Sequence, residues 1–242
     1  MSSLTLIVPA YNEEADIKKA IEQNLQILSE SGIDYEVVII NDGSTDNTRK
    51  IIEDHFITHP RLKFHSKENG GIGSAIKAGI SFSTKEYIVF IPVDSPLTSE
   101  QLNVFIQNLD KADILVSYRV RREGYSPRMK MNSALFHFLI SFLFKMDLKD
   151  YTWIHLYKRS IFTEQGITID YKGIFMLPEV LIKAKHKGLS FHEFPLVMAK
   201  RENGSATAAS YKAAIRTFCD TFAFYYNFSI RKNGSKSSDP RS

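Results

Sequence analysis

The chain has 242 residues, 43% of them hydrophobic, which is enough to bury one substantial core, and its single cysteine, Cys219, excludes an internal disulfide or a Cys/His zinc cluster. A net charge of +4 is too small to define a partner and gives no case for nucleic acid. The longest apolar stretch, Ala134 to Phe144, falls short of the roughly 20 residues that cross a bilayer, and residues 4–9 run into Tyr11-Asn12-Glu13-Glu14 without a basic leader; a cytoplasmic chain is expected.

Leu4–Val8 and Tyr35–Ile40 are short continuous apolar runs, as in parallel strands covered on both faces. The helix between them is expected to start at an Asn12 cap, with Glu13 and Glu14 at the positive end of its dipole, and to stop at Gly32. The alternation continues with a helix over Asp46–Phe56, a strand over Leu62–His65, a helix over Gly73–Phe82 and the most apolar strand, Tyr87–Ile91. A helix over Ser99–Leu109 and a strand over Ile114–Ser117 follow. This order predicts an α/β fold, a mostly parallel nucleotide-binding sheet flanked by helices, with its ligand crevice beyond the carboxyl ends of the strands. After Ser117 the pattern reads as an amphipathic helix from about Asn132 to Lys145, a helix near Pro178–Lys187, a strand over Leu189–Met198 and a C-terminal amphipathic helix within 208–230. Residues 231–242, rich in Ser, Lys and Gly, read as a disordered tail. The nucleotide-binding part is expected to end near 117 and the acceptor-side part near 207.

The strand-end rule selects the chemistry-bearing residues. Asp42, in Asn41-Asp42-Gly43-Ser44-Thr45-Asp46, is placed to accept an N–H from uracil or guanine, with Pro9, Tyr11 and Glu13 bordering base and ribose; a capped turn alone would not require Asp42 beside Asp46. Asn69-Gly70-Gly71-Ile72-Gly73 before a helix admits two readings, a phosphate cradle using Gly71 or close helix–sheet packing. It fails the dinucleotide fingerprint at the third glycine. Asp94 follows the most buried strand, and one well-placed Asp suffices for a magnesium or manganese ion that completes its shell with substrate oxygens. Five basic residues between Arg119 and Lys130 face one acid, Glu123, which favours an anionic partner over this loop. No GxSxG elbow occurs, which disfavours hydrolase chemistry.

Taken in order, Ile7-Val8-Pro9-Ala10-Tyr11-Asn12-Glu13-Glu14, Val38-Ile39-Ile40-Asn41-Asp42-Gly43-Ser44-Thr45-Asp46, Asn69-Gly70-Gly71 and Asp94 resemble family-2 glycosyltransferases of the GT-A fold. Within that family the chain is most similar to polyprenyl-phosphate sugar synthases, the group that includes dolichyl-phosphate mannose synthase, over roughly residues 3–207. The resemblance implies that Pro9, Tyr11, Glu13 and Asp42 bind the nucleoside, that Asp94 serves the metal and diphosphate, that Arg119 and Arg201 face phosphates, and that the anomeric carbon is inverted. Where the family has Asp-x-Asp followed by Gln two residues on, this chain has Pro92-Val93-Asp94 and Pro96, so weaker dependence on Mg or Mn is expected. Ile154-His155-Leu156 stands where the family has Gly-Phe-Arg.

These readings combine into transfer of a hexose from a UDP- or GDP-sugar to a polyprenyl (dolichyl or undecaprenyl) phosphate. Arg128, Lys130 and Ser133 are expected at the acceptor phosphate, and the apolar faces of 132–145 and 210–226 on a membrane surface. A phosphate is already anionic and needs orientation and charge more than a base. Two alternatives stand beside it: transfer to a sugar hydroxyl with Glu179 as the base, and an inactive sugar-nucleotide-binding subunit.

Overall fold

The computed structural model describes residues 2–120, 126–197 and 211–234. Its strands are β1 (Ser3–Ala10), β2 (Asp34–Asp42), β3 (Leu62–Lys67), β4 (Tyr87–Phe90), β5 (Ile114–Arg119), β6 (His155–Lys158) and β7 (Phe191–Leu196). Its helices are α1 (Ile17–Glu30), α2 (Thr48–Phe56), α3 (Ile72–Phe82), α4 (Ser99–Ile106), α5 (Pro127–Phe144), α6 (Ser160–Thr163), α7 (Met176–His186) and α8 (Tyr211–Gly234). The strands form one sheet in the order β3-β2-β1-β4-β6-β5-β7. Only β6 runs against its neighbours, pairing antiparallel with β4 and β5 while β5 and β7 pair in parallel.

Alternation along the strands divides the core between the two faces. Leu4, Leu6, Val8, Val37 and Ile39 pack with Ile17, Ile21 and Leu28 of α1, Ile52 of α2 and Phe105 of α4. Ile7, Val38, Ile40 and Ile88 pack with Ile76 of α3, Ile140 of α5, Val180 of α7 and Phe224 of α8. The continuous apolar runs of β1 and β2 thus serve two layers of helices, as parallel strands require.

Three expectations are corrected. Helix α1 starts at Ile17 rather than at an Asn12 cap, because Asn12 takes a left-handed conformation (φ 54°) and its side chain bonds to the next loop instead. Strand β6 has no counterpart among the expected elements: four residues that pair only through long-range contacts carry too little periodicity to be seen in sequence. Helix α8 continues past Ile230 to Gly234, the first strong helix breaker on its path, so the first residues of the expected tail are helical; residues 235–242 lie outside the described residues.

At the amino-terminal edge of the sheet a buried carboxylate ties four segments together. Glu36 accepts hydrogen bonds from the Thr5 hydroxyl (2.7 Å), the Thr84 amide (2.6 Å) and the Thr84 hydroxyl (2.8 Å), and pairs with Lys63 (2.8 Å). Replacing it strands the buried Thr5 hydroxyl of β1 and releases the turn before β4. Glu36→Ala is therefore expected to lower the free energy of unfolding by about 1–3 kcal/mol, measured by urea denaturation.

Candidate active site

Strand β1 pairs in parallel with β2 and β4, Ala10 beside Asn41 and Ile7 beside Phe90. The loops after all three strands therefore leave the sheet at one edge, and Asp42 and Asp94 leave with them. Side-chain hydrogen bonds lace the first two loops together. The Thr45 amide donates to the Asn12 side-chain oxygen (2.8 Å), the Glu13 amide to the Thr48 hydroxyl (2.7 Å), the Glu14 amide to Asp46 (3.1 Å) and the Asn47 amide to Glu14 (3.0 Å). Glu14 thus serves the start of α2 rather than the dipole of its own helix. Above this frame Pro9 is half-buried, and Tyr11 exposes 48% of its surface, leaving an aromatic face open at the strand end.

Asp42 is buried at the end of β2. Lys67 and the Gly70 amide donate to Oδ1 (2.7 and 3.0 Å), and the Gly71 amide donates to Oδ2 (2.8 Å). Two carboxylate oxygens offer about four acceptor positions, so three bonds leave room for one further donor, such as an imide N–H of a base. Of the two readings of the glycine loop, the geometry matches packing. The Gly71 amide is engaged by Asp42 and the Gly73 amide by the Lys172 carbonyl (3.1 Å), so neither is turned to a phosphate. Gly71 has φ 83°, and a Cβ on Gly73 would stand 2.0 Å from the Tyr171 carbonyl oxygen; the glycines admit a second backbone.

Asp94 and Glu13 converge from the ends of β4 and β1. Burial, then the charges of Asp94, Asp16 and Asp46, pushes the Glu13 carboxyl up to about 7. Such a displacement marks carboxylates sharing one poorly solvated space.

On the other half of the edge, two expectations meet a different geometry. The Arg119 guanidinium is 5% exposed and grips Asp150 through two bonds, Nε to Oδ2 (2.7 Å) and Nη2 to Oδ1 (2.8 Å), and it donates to the Thr152 hydroxyl (2.9 Å) over the Trp153 ring. It is a buried partner of Asp150 and not a cation turned to a phosphate. Burial would raise the Asp150 carboxyl, but the hydrogen bonds and charge of Arg119 hold it below the usual carboxylate range. Glu179, on the first turn of α7, is fully buried and accepts from the Asp170 amide (3.0 Å), the Tyr171 amide (3.1 Å) and Lys183 (2.6 Å). With its carboxylate taken up by these partners and closed off from solvent, it sits as an internal anchor rather than as an exposed base. Arg201 lies outside the described residues. Arg128 and Lys130 are exposed on the first turn of α5, and Ser133 is half-buried on the opposite side of that helix from Met131 and Leu135.

The model of the family described as "Glycosyl transferase family 2" matches residues 5–166. The chain belongs to that family. This glycosyltransferase is 27% identical over 216 residues to a dolichyl-phosphate beta-glucosyltransferase of Trichomonas vaginalis, covering 80% of this chain and 64% of the relative. It is 32% identical over 124 residues to a chondroitin synthase of Pasteurella multocida, covering 51% of this chain and 12% of that protein, and 27% identical over 146 residues to an uncharacterized glycosyltransferase of Bacillus subtilis, of which it spans 45%. It therefore spans less than two thirds of the length of these relatives. Among solved structures, glucosyl-3-phosphoglycerate synthase from Mycobacterium tuberculosis, determined with Mn2+, UDP and phosphoglyceric acid, superposes with a TM-score of 0.67 at 18% identity, covering 91% of this chain and 78% of that one. S. aureus TarS with UDP-GlcNAc gives 0.58 at 18% identity, covering 87% and 62%. The fold of the glycosyltransferase is GT-A, as its sheet order and these neighbours show.

Structures of the mycobacterial synthase hold Mn2+ or Mg2+. Among the described residues of this glycosyltransferase no group of three or more His, Cys, Asp or Glu side chains could hold an ion alone. Asp94 with Glu13 does fit an ion shared with a diphosphate, since one or two carboxylates suffice there and the two lie close enough for burial and the charge of Asp94 to raise the Glu13 carboxyl. Pro92 and Pro96 bring no side-chain oxygen.

Sequence reasoning missed Lys67 and Asp150. Lys67 ends β3 in register with Asp42, a neighbour visible only once the strands are paired. Asp150 precedes β6, which carried no periodic signal. Asp150→Asn is expected to leave a buried guanidinium without its counter-ion and to cost about 3–5 kcal/mol of stability. In the unmutated chain the contribution of this pair is present above the ordinary carboxylate pKa and is lost as pH falls through the lower folded value, so acid unfolding monitored by circular dichroism should shift to higher pH in variants that weaken it.

Proposed function

We propose that this glycosyltransferase moves a hexose from a UDP- or GDP-sugar to a polyprenyl phosphate, with inversion, while lying peripherally on the cytoplasmic face of a membrane. The observation that carries the acceptor is an uncovered stripe on α5. Met131, Leu135, Phe138 and Phe142 are all exposed and recur at spacings of four, three and four residues, one face of a helix. The opposite face is apolar too: Ile140 is in the core, and Phe136 and Phe144 pack against Phe218 and Phe224 of α8. A helix apolar on both faces calls for an apolar medium on both. α5 contains no acid, and Arg128 and Lys130 leave its first turn on either side of the stripe. α8 adds Ile215, Phe222 and Tyr226 at helical spacing. No helix among the described residues is long and apolar enough to cross a membrane, so the stripes favour lying in the interface.

Glu179, bound inside the protein, is not turned to a sugar hydroxyl, and a nucleophile that is already anionic needs no such base. The Trichomonas relative named for a dolichyl-phosphate reaction matches a larger share of this chain than the chondroitin synthase does. In the proposed reaction Asp42 accepts an N–H of the base and Tyr11 borders it. A divalent ion, when bound, neutralises the diphosphate, and Asp94 with Glu13 would hold it. Arg128 and Lys130, together with Arg201, hold the acceptor phosphate beside the donor. A phosphate oxygen forms the new bond to the anomeric carbon from the face opposite the leaving diphosphate, whose bond breaks, and no proton moves.

Asp94→Asn is expected to reduce turnover on the order of a hundredfold or more while leaving the melting temperature unchanged, assayed with radiolabelled nucleotide sugar and a short polyprenyl phosphate. The double change Phe138→Asp, Phe142→Asp is expected to abolish sedimentation with anionic vesicles and to raise the acceptor KM while donor KM stays put. Product formed on free sugars, with none on the lipid phosphate, would overturn the proposed acceptor.

A further inference from the structure

We infer that Glu179 is a positioning residue for the nucleotide pocket, acting through the backbone of residues 170–172 on the glycine loop that holds Asp42. The inference rests on the reading of Asp42 as part of the donor pocket. Its carboxylate fixes two successive amides, those of Asp170 (3.0 and 3.2 Å) and Tyr171 (3.1 Å). The carbonyls of Tyr171 and Lys172 then stand directly against the glycine loop. The Lys172 oxygen accepts the Gly73 amide at 3.1 Å, a Cβ on Gly71 would lie 2.8 Å from that same oxygen, and one on Gly73 would lie 2.0 Å from the Tyr171 oxygen. On the far side of the loop, the Gly70 and Gly71 amides hold the two oxygens of Asp42. Asn69 presses on the neighbouring turn as well, since a Cβ on Gly43 would meet its amide nitrogen at 2.6 Å.

Every link from Glu179 to Asp42 is therefore backbone against backbone or carboxylate on amide. Such contacts have no rotamer to relax into, so a displacement of residues 170–172 is passed on to the amides that aim Asp42. A fully buried carboxylate is expensive to desolvate and is weak evidence for stability as such. Here it does what an apolar side chain of the same size cannot do: it accepts two amides and a lysine at once, and so fixes the loop in one place. Tyr171 reaches further still, packing its ring on Phe175 and on Phe224 of α8.

The test uses the full chain with UDP and GDP as probes. Glu179→Gln keeps the shape but loses the charge that holds two amides and Lys183. It is expected to weaken binding of the preferred nucleotide roughly three- to thirtyfold by calorimetry, the range over which residues along a coupled path act, with the polyprenyl-phosphate KM unchanged. Gly73→Ala breaks the next link and should weaken nucleotide binding too. Adding Glu179→Gln to it should then cost little more, because the path is already cut. A lower melting temperature with unaltered nucleotide affinity, or penalties that simply add, would show a purely structural role and overturn the inference. Should the variants fail to fold, hydrogen exchange on the unmutated chain decides. By reciprocity the nucleotide must slow exchange of the Asp170 and Tyr171 amides along with those of residues 70–73, and protection confined to 70–73 overturns the inference alone. An unmutated chain that binds neither UDP nor GDP overturns the donor-pocket reading itself, and the inference with it.

Discussion

The reversal at β6 is the constraint on which the site depends. Because this one strand runs antiparallel between β4 and β5, the segment that leads into it arrives at the edge where β4 and β5 end. Asp150 and Thr152 are delivered there and meet Arg119 at the end of β5. With a parallel strand in that position, residues 150–154 would enter at the opposite edge, next to the Glu36 network. One strand direction thus puts the loops after β1, β2 and β4 and the segment before β6 at a common edge of the sheet.

Carboxylates at this edge fall into two groups. Asp42, Asp150 and Glu179 are each surrounded by two or more donors and serve as joints: Asp42 between β2 and the glycine loop, Asp150 between β5 and the segment before β6, Glu179 between α7 and residues 170–171. Breaking such a joint strands charges or amides in a low-dielectric interior, which makes each position rigid. Glu13 and Asp94 behave differently. Both are half-buried, and burial first, then the charges of Asp94, Asp16 and Asp46, raises the Glu13 carboxyl.

The apolar stripes of α5 and α8 belong to the same physical unit as this edge. Phe224 of α8 packs on Tyr171 and on Phe144 of α5, while the Tyr171 backbone abuts Gly73. The surface proposed to meet lipid and the glycine loop that holds Asp42 are therefore separated by a few rigid contacts.

The sequence by itself determined the parallel core. The apolar runs of β1, β2 and β4, the spacing of the helices and the positions of Asp42 and Asp94 at strand ends were legible because period and burial are local properties that recur along the chain. Its motifs also carried the family. The roles of single polar side chains were not legible. Arg119 and Glu179 look like catalytic groups in a one-dimensional reading, and only the pairing with Asp150 and the closure of residues 170–171 over α7 turn them into structural joints. Asn12 and Glu14 look like caps of their own helix, and only the neighbouring loop claims them. For Arg119, Asn12 and Glu14 the deciding partner lies 31 to 33 positions away, and such distances leave no periodic trace. Strand register and direction, which the tertiary structure alone supplies, decided those roles.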